Sequence, residues 1–171
     1  MSTFALPQKF QNWINKRNWG LHTHQIDVLT NSDRKSQLLI APTGSGKTLS
    51  GFLPTLIELD RVNFSGLHTV YVSPLKALAA DIKRNLMIPI EEMGLNIKVE
   101  DRTGDTTAKT KRRQRIDPPQ ILLTTPESLA LLISFPEANA LFANLERIII
   151  DEIHALVENK RGHQLLLAIS R

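Results

Sequence analysis

Eight consecutive residues, Ala41-Pro42-Thr43-Gly44-Ser45-Gly46-Lys47-Thr48, have the composition of a loop that wraps an anion. Gly44 and Gly46 permit positive φ and let the backbone approach a ligand closely. Successive backbone N–H groups in such a turn form a nest for negative charge, and a helix starting at its end adds its dipole. Lys47 supplies a point charge suited to the β- and γ-phosphates of a nucleotide, and the Thr48 hydroxyl is a ligand for Mg²⁺. The pattern is a Walker A sequence with Ala41 in place of the first glycine, which keeps both the nest and the lysine. An apolar run before it and a helical pattern after it separate this reading from that of a plain flexible Gly/Ser loop.

A second set of chemistry-bearing residues follows Ile148-Ile149-Ile150, where the chain continues as Asp151-Glu152-Ile153-His154. Two carboxylates at the end of an apolar strand are costly unless they face a cation or water. Asp151 is placed to hold Mg²⁺, usually through a water. Glu152 is placed to orient and deprotonate an attacking water. His154, at the start of the next helix, could link the site to a neighbouring domain. The same acids would also serve as the N-cap of that helix, where negative charge is favoured. Their co-occurrence with Lys47 on another strand favours phosphate chemistry.

These residues need elements to position them. Five short apolar, β-branched runs, at residues 37–41, 69–73, 97–100, 121–124 and 147–150, read as strands covered on both faces. Helical patterns lie between them. Leu75, Leu78, Ala79, Ile82 and Leu86 form one apolar stripe, which Pro89 should break or end. Residues 48–59 read as a helix interrupted early by Pro54, and residues 106–115, 127–133 and 154–169 as further helices. Alternating strands and helices give an α/β fold with a mostly parallel sheet and helices on both faces. Ligands of such sheets bind at the carboxyl ends of the strands, where the singled-out residues fall.

The 171 residues suffice for one domain with a core, and 42% are apolar against 22% charged. No apolar run approaches a membrane span, and residues 1–10 lack a secretory pattern. The absence of cysteine excludes disulfides and Cys-based zinc sites and fits a reducing, cytoplasmic setting. The formal net charge of +4 is uneven: residues 102–115 hold six basic residues and one acid, leaving a near-neutral remainder. A local basic stretch suggests a polyanion partner, although a solvated helix face has the same composition.

Taken in order, several segments resemble those of superfamily 2 DExH-box helicases. They are Trp19-Gly20-Leu21-His22-Thr23-His24-Gln25, the loop through Thr48-Leu49, Tyr71-Val72-Ser73-Pro74-Leu75-Lys76-Ala77-Leu78, Arg102-Thr103-Gly104-Asp105-Thr106, Thr124-Thr125-Pro126-Glu127-Ser128-Leu129, and Asp151-Glu152-Ile153-His154-Ala155-Leu156 with Lys160-Arg161-Gly162. Within that superfamily the chain looks like the Lhr-like group, and within that group like the ligase-associated DExH-box helicases of the DNA damage response.

The resemblance implies a RecA-like P-loop NTPase fold, with a helical segment at residues 1–30 and the first RecA-like ATP-binding domain over residues 31–171. It implies ATP and Mg²⁺ as cofactors, held by Gln25, Thr43, Gly44, Ser45, Gly46, Lys47 and Thr48, with Gln25 reading adenine, Thr48 and Asp151 on the metal, and Lys47, Asp151 and Glu152 as the catalytic set. It implies nucleic-acid contacts by Ser73, Pro74, Leu75 and Lys76, by Arg102, Thr103 and Gly104, and by Thr125, Pro126 and Glu127. Lys160-Arg161 is a further candidate of the same kind. The serine and threonine residues among these would also act as helix caps. DNA is favoured over RNA as the partner, with a DNA ligase or nuclease as a possible associate, and no membrane.

The apolar stretch Leu165-Leu166-Leu167-Ala168-Ile169 with no stop signal after it reads as a cut through a larger protein. The Ser-Ala-Thr-type segment and the second RecA-like domain of the family are missing. Such a piece is expected to bind nucleotide, hydrolyse it slowly and not unwind by itself. A truncated, non-catalytic binding module and an RNA helicase domain are the alternatives.

Overall fold

The computed structural model describes residues 5–42, 44–157 and 159–170, apart from the side chains of residues 76–78. The chain forms two compact units, one of residues 1–63 and 86–96, the other of residues 64–85 and 97–171.

The first unit contains helices α1 (Gln8–Lys16), α2 (Thr23–Thr30) and α3 (Lys47–Arg61), and the last turns of α4 (Lys76–Glu92). Phe10, Trp13 and Ile14 are the buried face of α1, and Phe52, Leu53, Leu56 and Ile57 that of α3. A polar clasp fixes α1: Glu92 accepts from Trp13 Nε1 at 2.7 Å and from Arg17 Nη2 at 2.6 Å. The Arg17 guanidinium also lies over the Trp13 and Trp19 rings, 5.3 and 4.8 Å from their centroids. Neither proline ends its helix. α3 runs through Pro54 and α4 through Pro89 to Glu92. The buried neighbours Leu53 and Leu56, and Leu86 and Ile90, offset the ladder bond each ring removes.

Residues 37–41, expected as a strand, form neither helix nor strand and belong to no sheet. Leu38 and Ile40 are 73% and 85% exposed. Apolar composition favours a strand only where a neighbour completes the ladder, and among the described residues none does.

The second unit is built on a four-stranded, all-parallel sheet in the order β2-β3-β1-β4, with β1 at Thr69–Val72, β2 at Val99–Arg102, β3 at Ile121–Thr124 and β4 at Arg147–Ile150. The interior strands β1 and β3 are buried at every residue, as parallel strands covered on both faces should be. Helices α5 (Ala108–Ile116), α6 (Pro126–Ile133), α7 (Ala138–Phe142) and α8 (Lys160–Ile169) complete the unit, with a 3₁₀ turn at Ile153–Ala155. Leu67, Val70, Val72, Leu122, Leu129, Leu132, Leu141, Leu156, Leu165 and Ala168 form one core.

The helix expected over residues 154–169 is two elements. Asn159 sits in extended backbone and caps α8, its side chain accepting from Arg161 N and Gly162 N at 3.0 and 3.1 Å. No helix among the described residues is long and apolar enough to cross a membrane.

Candidate nucleotide and nucleic-acid site

In the first unit the phosphate loop has the backbone its glycines allow. Gly44 and Gly46 hold φ of 79° and 76°, and Gly46 is the N-cap of α3. The first N–H groups of a helix lack intrahelical partners, so the loop presents donors where an anion would bind. Ser45 Oγ donates to Pro42 O at 2.7 Å and tightens the turn. The Lys47 ammonium donates to Ala41 O and Pro42 O, each at 2.9 Å. Thr43 lies outside the described residues.

Gln25 is 3% exposed and uses both ends of its amide. Its Oε1 accepts from His22 N at 2.9 Å, and its Nε2 donates to Gly46 O at 3.3 Å. A Cβ on Gly46 would sit 2.8 Å from that Nε2. The structure therefore gives Gln25 the task of joining the start of α2 to the loop, and an adenine edge would compete with those bonds.

In the second unit the parallel register does the positioning. Val72 is level with Thr124 and Ile150, and Thr124 is level with Arg102. The residues that follow, Thr103, Thr125, Ser73 and Asp151, therefore form one row across the carboxyl edge of the sheet. Ser73 N donates to Thr124 O at 3.0 Å and Asp151 N to Val72 O at 2.9 Å, which extends the ladder into that row. Thr125 caps α6, accepting from Ser128 N at 3.4 Å, with Pro126 in the first turn. Ser73, Thr103 and Thr125 are buried; Gly104 and Leu75 are exposed. Lys76 begins α4, and its side chain lies outside the described residues.

Arg102 departs from expectation. Strand β2 lies two residues later than its composition suggests, so Arg102 ends the strand instead of following it. It is 4% exposed, and its Nη1 donates to Lys111 O at 2.8 Å and Gln114 Oε1 at 3.2 Å. Gln114 Nε2 in turn donates to Glu100 Oε2 at 2.9 Å. The guanidinium holds α5 on the sheet and is not a surface contact for phosphate. Much of the basic stretch is similarly engaged. Lys111 donates to Gly104 O at 3.0 Å, Arg113 pairs with Glu100, and Arg115 lies over Phe135 at 4.0 Å.

At the end of β4 the acids are ordered by groups that sequence patterns do not single out. Tyr71, buried in β1, donates its phenol O–H to Asp151 Oδ2. The other oxygen, Oδ1, accepts from Glu152 N at 2.9 Å. Burial, then the bond to Asp151 and the charges of Asp151 and Glu152, push the phenol far above its ordinary value, so it acts as a donor. Glu152 has φ 48° and ψ 43°, a left-handed conformation that a side chain adopts at a cost of about 1–2 kcal/mol. Its Oε2 lies 3.3 Å from Nδ1 of the exposed His154.

The residues suit a nucleotide and a divalent cation. Left-handed glycines at a helix start fit a phosphate chain. Among the described residues no group of three His, Cys, Asp or Glu is gathered for a metal.

Comparison with known proteins agrees. The DEAD/DEAH box helicase family model matches residues 22–171. The chain belongs to the DEAD/DEAH box helicase family. It is 43% identical over 152 residues to the ATP-dependent helicase Lhr-Core of Methanocaldococcus jannaschii, covering 80% of this chain and 18% of that protein. It is 40% identical over 153 residues to the Lhr helicase/uracil glycosylase of Escherichia coli, covering 78% of this chain and 10% of that one. Among solved structures, helicase Lhr of Mycobacterium smegmatis bound to ssDNA and AMP-PNP matches with a TM-score of 0.85 at 37% identity, over 95% of this chain and 22% of that one. This DEAD/DEAH box chain thus spans about a fifth or less of the length of these relatives. Its α/β sheet is the RecA-like one of the helicase structures it matches.

Proposed function

We propose that this chain is the nucleotide-binding motor domain of an ATP-dependent DNA helicase or translocase acting in DNA repair. The observation that carries the reading is the row Thr103, Thr125, Ser73 and Asp151 along one sheet edge, which gathers small hydroxyls and helix starts beside a carboxylate. The left-handed glycines at the head of α3 give it independent support.

In this reading Gly44, Ser45, Gly46 and Lys47 take the phosphates, with Thr43 as part of the same loop. Thr48 and Asp151 are the residues that would hold Mg²⁺, whose charge would offset that of the phosphates. Lys47 exchanges its two carbonyl partners for phosphate oxygens. Glu152 orients the water for in-line attack, and Gln25 couples the loop to the segment that would meet the base. Ser73, Pro74, Leu75, Lys76, Thr103, Gly104, Thr125, Pro126 and Glu127 line the path of the strand, through phosphate contacts more than base readout. His154 couples this edge to a second RecA-like domain.

DNA is proposed over RNA because the Mycobacterium smegmatis Lhr structure holds ssDNA. A DNA ligase or nuclease partner rests on the sequence resemblance alone, and a cytoplasmic location on the absence of cysteine. Hydrolysis by these 171 residues on their own is proposed to be slow, since an arginine finger from a second domain is worth roughly 10³–10⁵ in rate.

The test is nucleotide binding with Mg²⁺ by titration of a fluorescent ATP analogue, followed by ATPase assays with and without single-stranded DNA. Lys47→Ala should weaken binding by about tenfold or more, the worth of a charge-assisted contact. Equal affinity of the two proteins would overturn the assignment.

A further inference from the structure

We propose that Tyr71 is a positioning residue for the nucleotide's divalent cation: its phenol fixes the Asp151 carboxylate in the orientation in which that carboxylate meets the metal, and ties it to the strand that carries Ser73 and Pro74. The inference rests on the reading of Asp151 as a metal carboxylate, and goes beyond it by naming the group that aims it.

The geometry follows from the register. Tyr71 is level with Ile149 on the neighbouring strand β4, so its ring and the residue just past the end of β4 fall at the same edge. The ring is 1% exposed. A buried phenol is retained at little cost only if its O–H finds an acceptor, and Asp151 Oδ2 is that acceptor. A valine or leucine at position 71 would fill a strand interior as well and leave no polar group to satisfy. The hydroxyl therefore has a task that packing alone does not require.

Asp151 is bound at both oxygens, Oδ2 by Tyr71 and Oδ1 by Glu152 N at 2.9 Å. Two donors on two oxygens fix the rotation of the carboxylate about its side-chain bonds. Each oxygen keeps acceptor capacity, since an ionised carboxylate offers roughly four lone-pair positions. The group is thus pre-aimed and still able to face a cation directly or through a water. Partners that orient a metal-binding group in this way set affinity without touching the metal.

The same bond gives the carboxylate a mechanical neighbour. Tyr71 stands two residues before Ser73, on a strand buried at every position and laddered on both sides by β3 and β4. A displacement of the Ser73-Pro74 end by a bound strand would reach Asp151 through one ring and one hydrogen bond.

Tyr71 is the chain's only tyrosine. The test uses the whole chain. Protein labelled with ¹³C at the tyrosine ζ carbon gives one such signal, followed while Mg²⁺ is titrated in the presence of ADP, for wild type and Asp151→Asn. In parallel, the Mg²⁺ concentration for half-maximal binding of a fluorescent ADP is measured for wild type and Tyr71→Phe, with thermal melting as the fold control. The wild-type signal should move with Mg²⁺ and the Asp151→Asn signal should not. Tyr71→Phe should require about tenfold more Mg²⁺, with metal-free nucleotide affinity unchanged.

A wild-type signal that stays still while nucleotide binds in a Mg²⁺-dependent manner overturns the proposal, and this arm decides even if Tyr71→Phe fails to fold. An unchanged Mg²⁺ requirement in a folded Tyr71→Phe overturns it too, leaving the nucleotide-binding reading intact. Wild-type protein that binds no nucleotide, with or without Mg²⁺, overturns both.

Discussion

Glu127 and Arg161 form a two-point ion pair, with Arg161 Nε donating to Glu127 Oε1 and Nη2 donating to Oε2 at 3.2 Å. The pair joins the first turn of α6, just past the Thr125 cap, to the first turn of α8, just past the Asn159 cap. Both residues are candidates for nucleic-acid contact by resemblance. The structure engages them with each other, so the guanidinium steadies two helix starts instead of standing free for a phosphate. Glu127 is correspondingly neutralised, which lowers its repulsion of a polyanion passing the same edge.

The pair should show coupling in stability. Both side chains are more than a third exposed, so solvent screening limits its worth to about 0.5–1 kcal/mol despite the bidentate geometry. Glu127→Gln and Arg161→Gln, each alone and together, should give a double mutant less destabilised than the sum of the singles. Denaturant unfolding measures this, and strict additivity would show that the pair contributes nothing.

Stability should also fall in acid for a defined reason. The Arg161 hydrogen bond, against a burial effect of opposite sign, holds Glu127 below its ordinary value of 4.5. Burial works to raise Glu100, but hydrogen bonds from Gln114 and Arg113, with the charges of Arg113 and Lys98, bring it below 4.5 as well. A carboxyl depressed in the folded state contributes stability that is complete above its unfolded value and is lost as pH falls through the lower folded one. The difference in melting temperature between wild type and Glu127→Gln or Glu100→Gln should therefore be constant above about pH 5 and shrink below it. A difference that grows on acidification would contradict the assignment.

Gln114 should be needed by its neighbours more than by itself. It is 2% exposed, accepts from Arg102, and donates to Glu100 and to Asp101 O at 3.2 Å. Gln114→Ala would leave a buried guanidinium and a half-buried carboxylate short of a partner, at a cost of about 1–3 kcal/mol. Gln114→Glu keeps an acceptor for Arg102 but loses the donor to Glu100 and Asp101 O and sets a second carboxylate against Glu100, so it should be destabilising too. Chemical denaturation reads both. A variant as stable as wild type would show that Arg102 does not hold α5 through this network.

Much of this was legible in residue order, and the failures have physical causes. β3 and β4 fall where continuous apolar runs put them, at Ile121–Thr124 and Arg147–Ile150. β2 is displaced from its expected place because Val99-Glu100-Asp101-Arg102 is too charged to look like a strand; its polar groups are satisfied by α5 through Gln114 and Arg113. Residues 37–41 have strand composition without a ladder. The glycine conformations at 44 and 46 could be anticipated, because only glycine is at ease there. The Tyr71–Asp151 bond could not, since it joins residues 80 positions apart through a register that no local pattern encodes. The left-handed Glu152 was equally hidden, as nothing about a glutamate announces positive φ.

Two glycines should respond to alanine for different reasons. Around Gly162 the space is closed: a Cβ there would lie 1.8 Å from Leu156 O, a backbone atom that cannot swing aside. Gly162 is buried in the first turn of α8, three residues after the Asn159 cap, and α8 packs on α6. Gly162→Ala must push the helix start off the Leu156 carbonyl and should cost about 3 kcal/mol, with loss of α8 contacts to the core. Gly44 is in open space, with no heavy atom within 4 Å of an added methyl, and its constraint is the φ of +79°. Gly44→Ala should cost only about 1–2 kcal/mol in stability, because the strain is local. Its larger effect should fall on nucleotide affinity, because relaxing φ turns the loop N–H groups away from the anion they would meet. Melting curves and nucleotide titrations on the two variants separate these effects. If Gly162→Ala melts with wild type while Gly44→Ala retains full nucleotide affinity, neither the closed helix contact nor the anion-facing loop geometry holds.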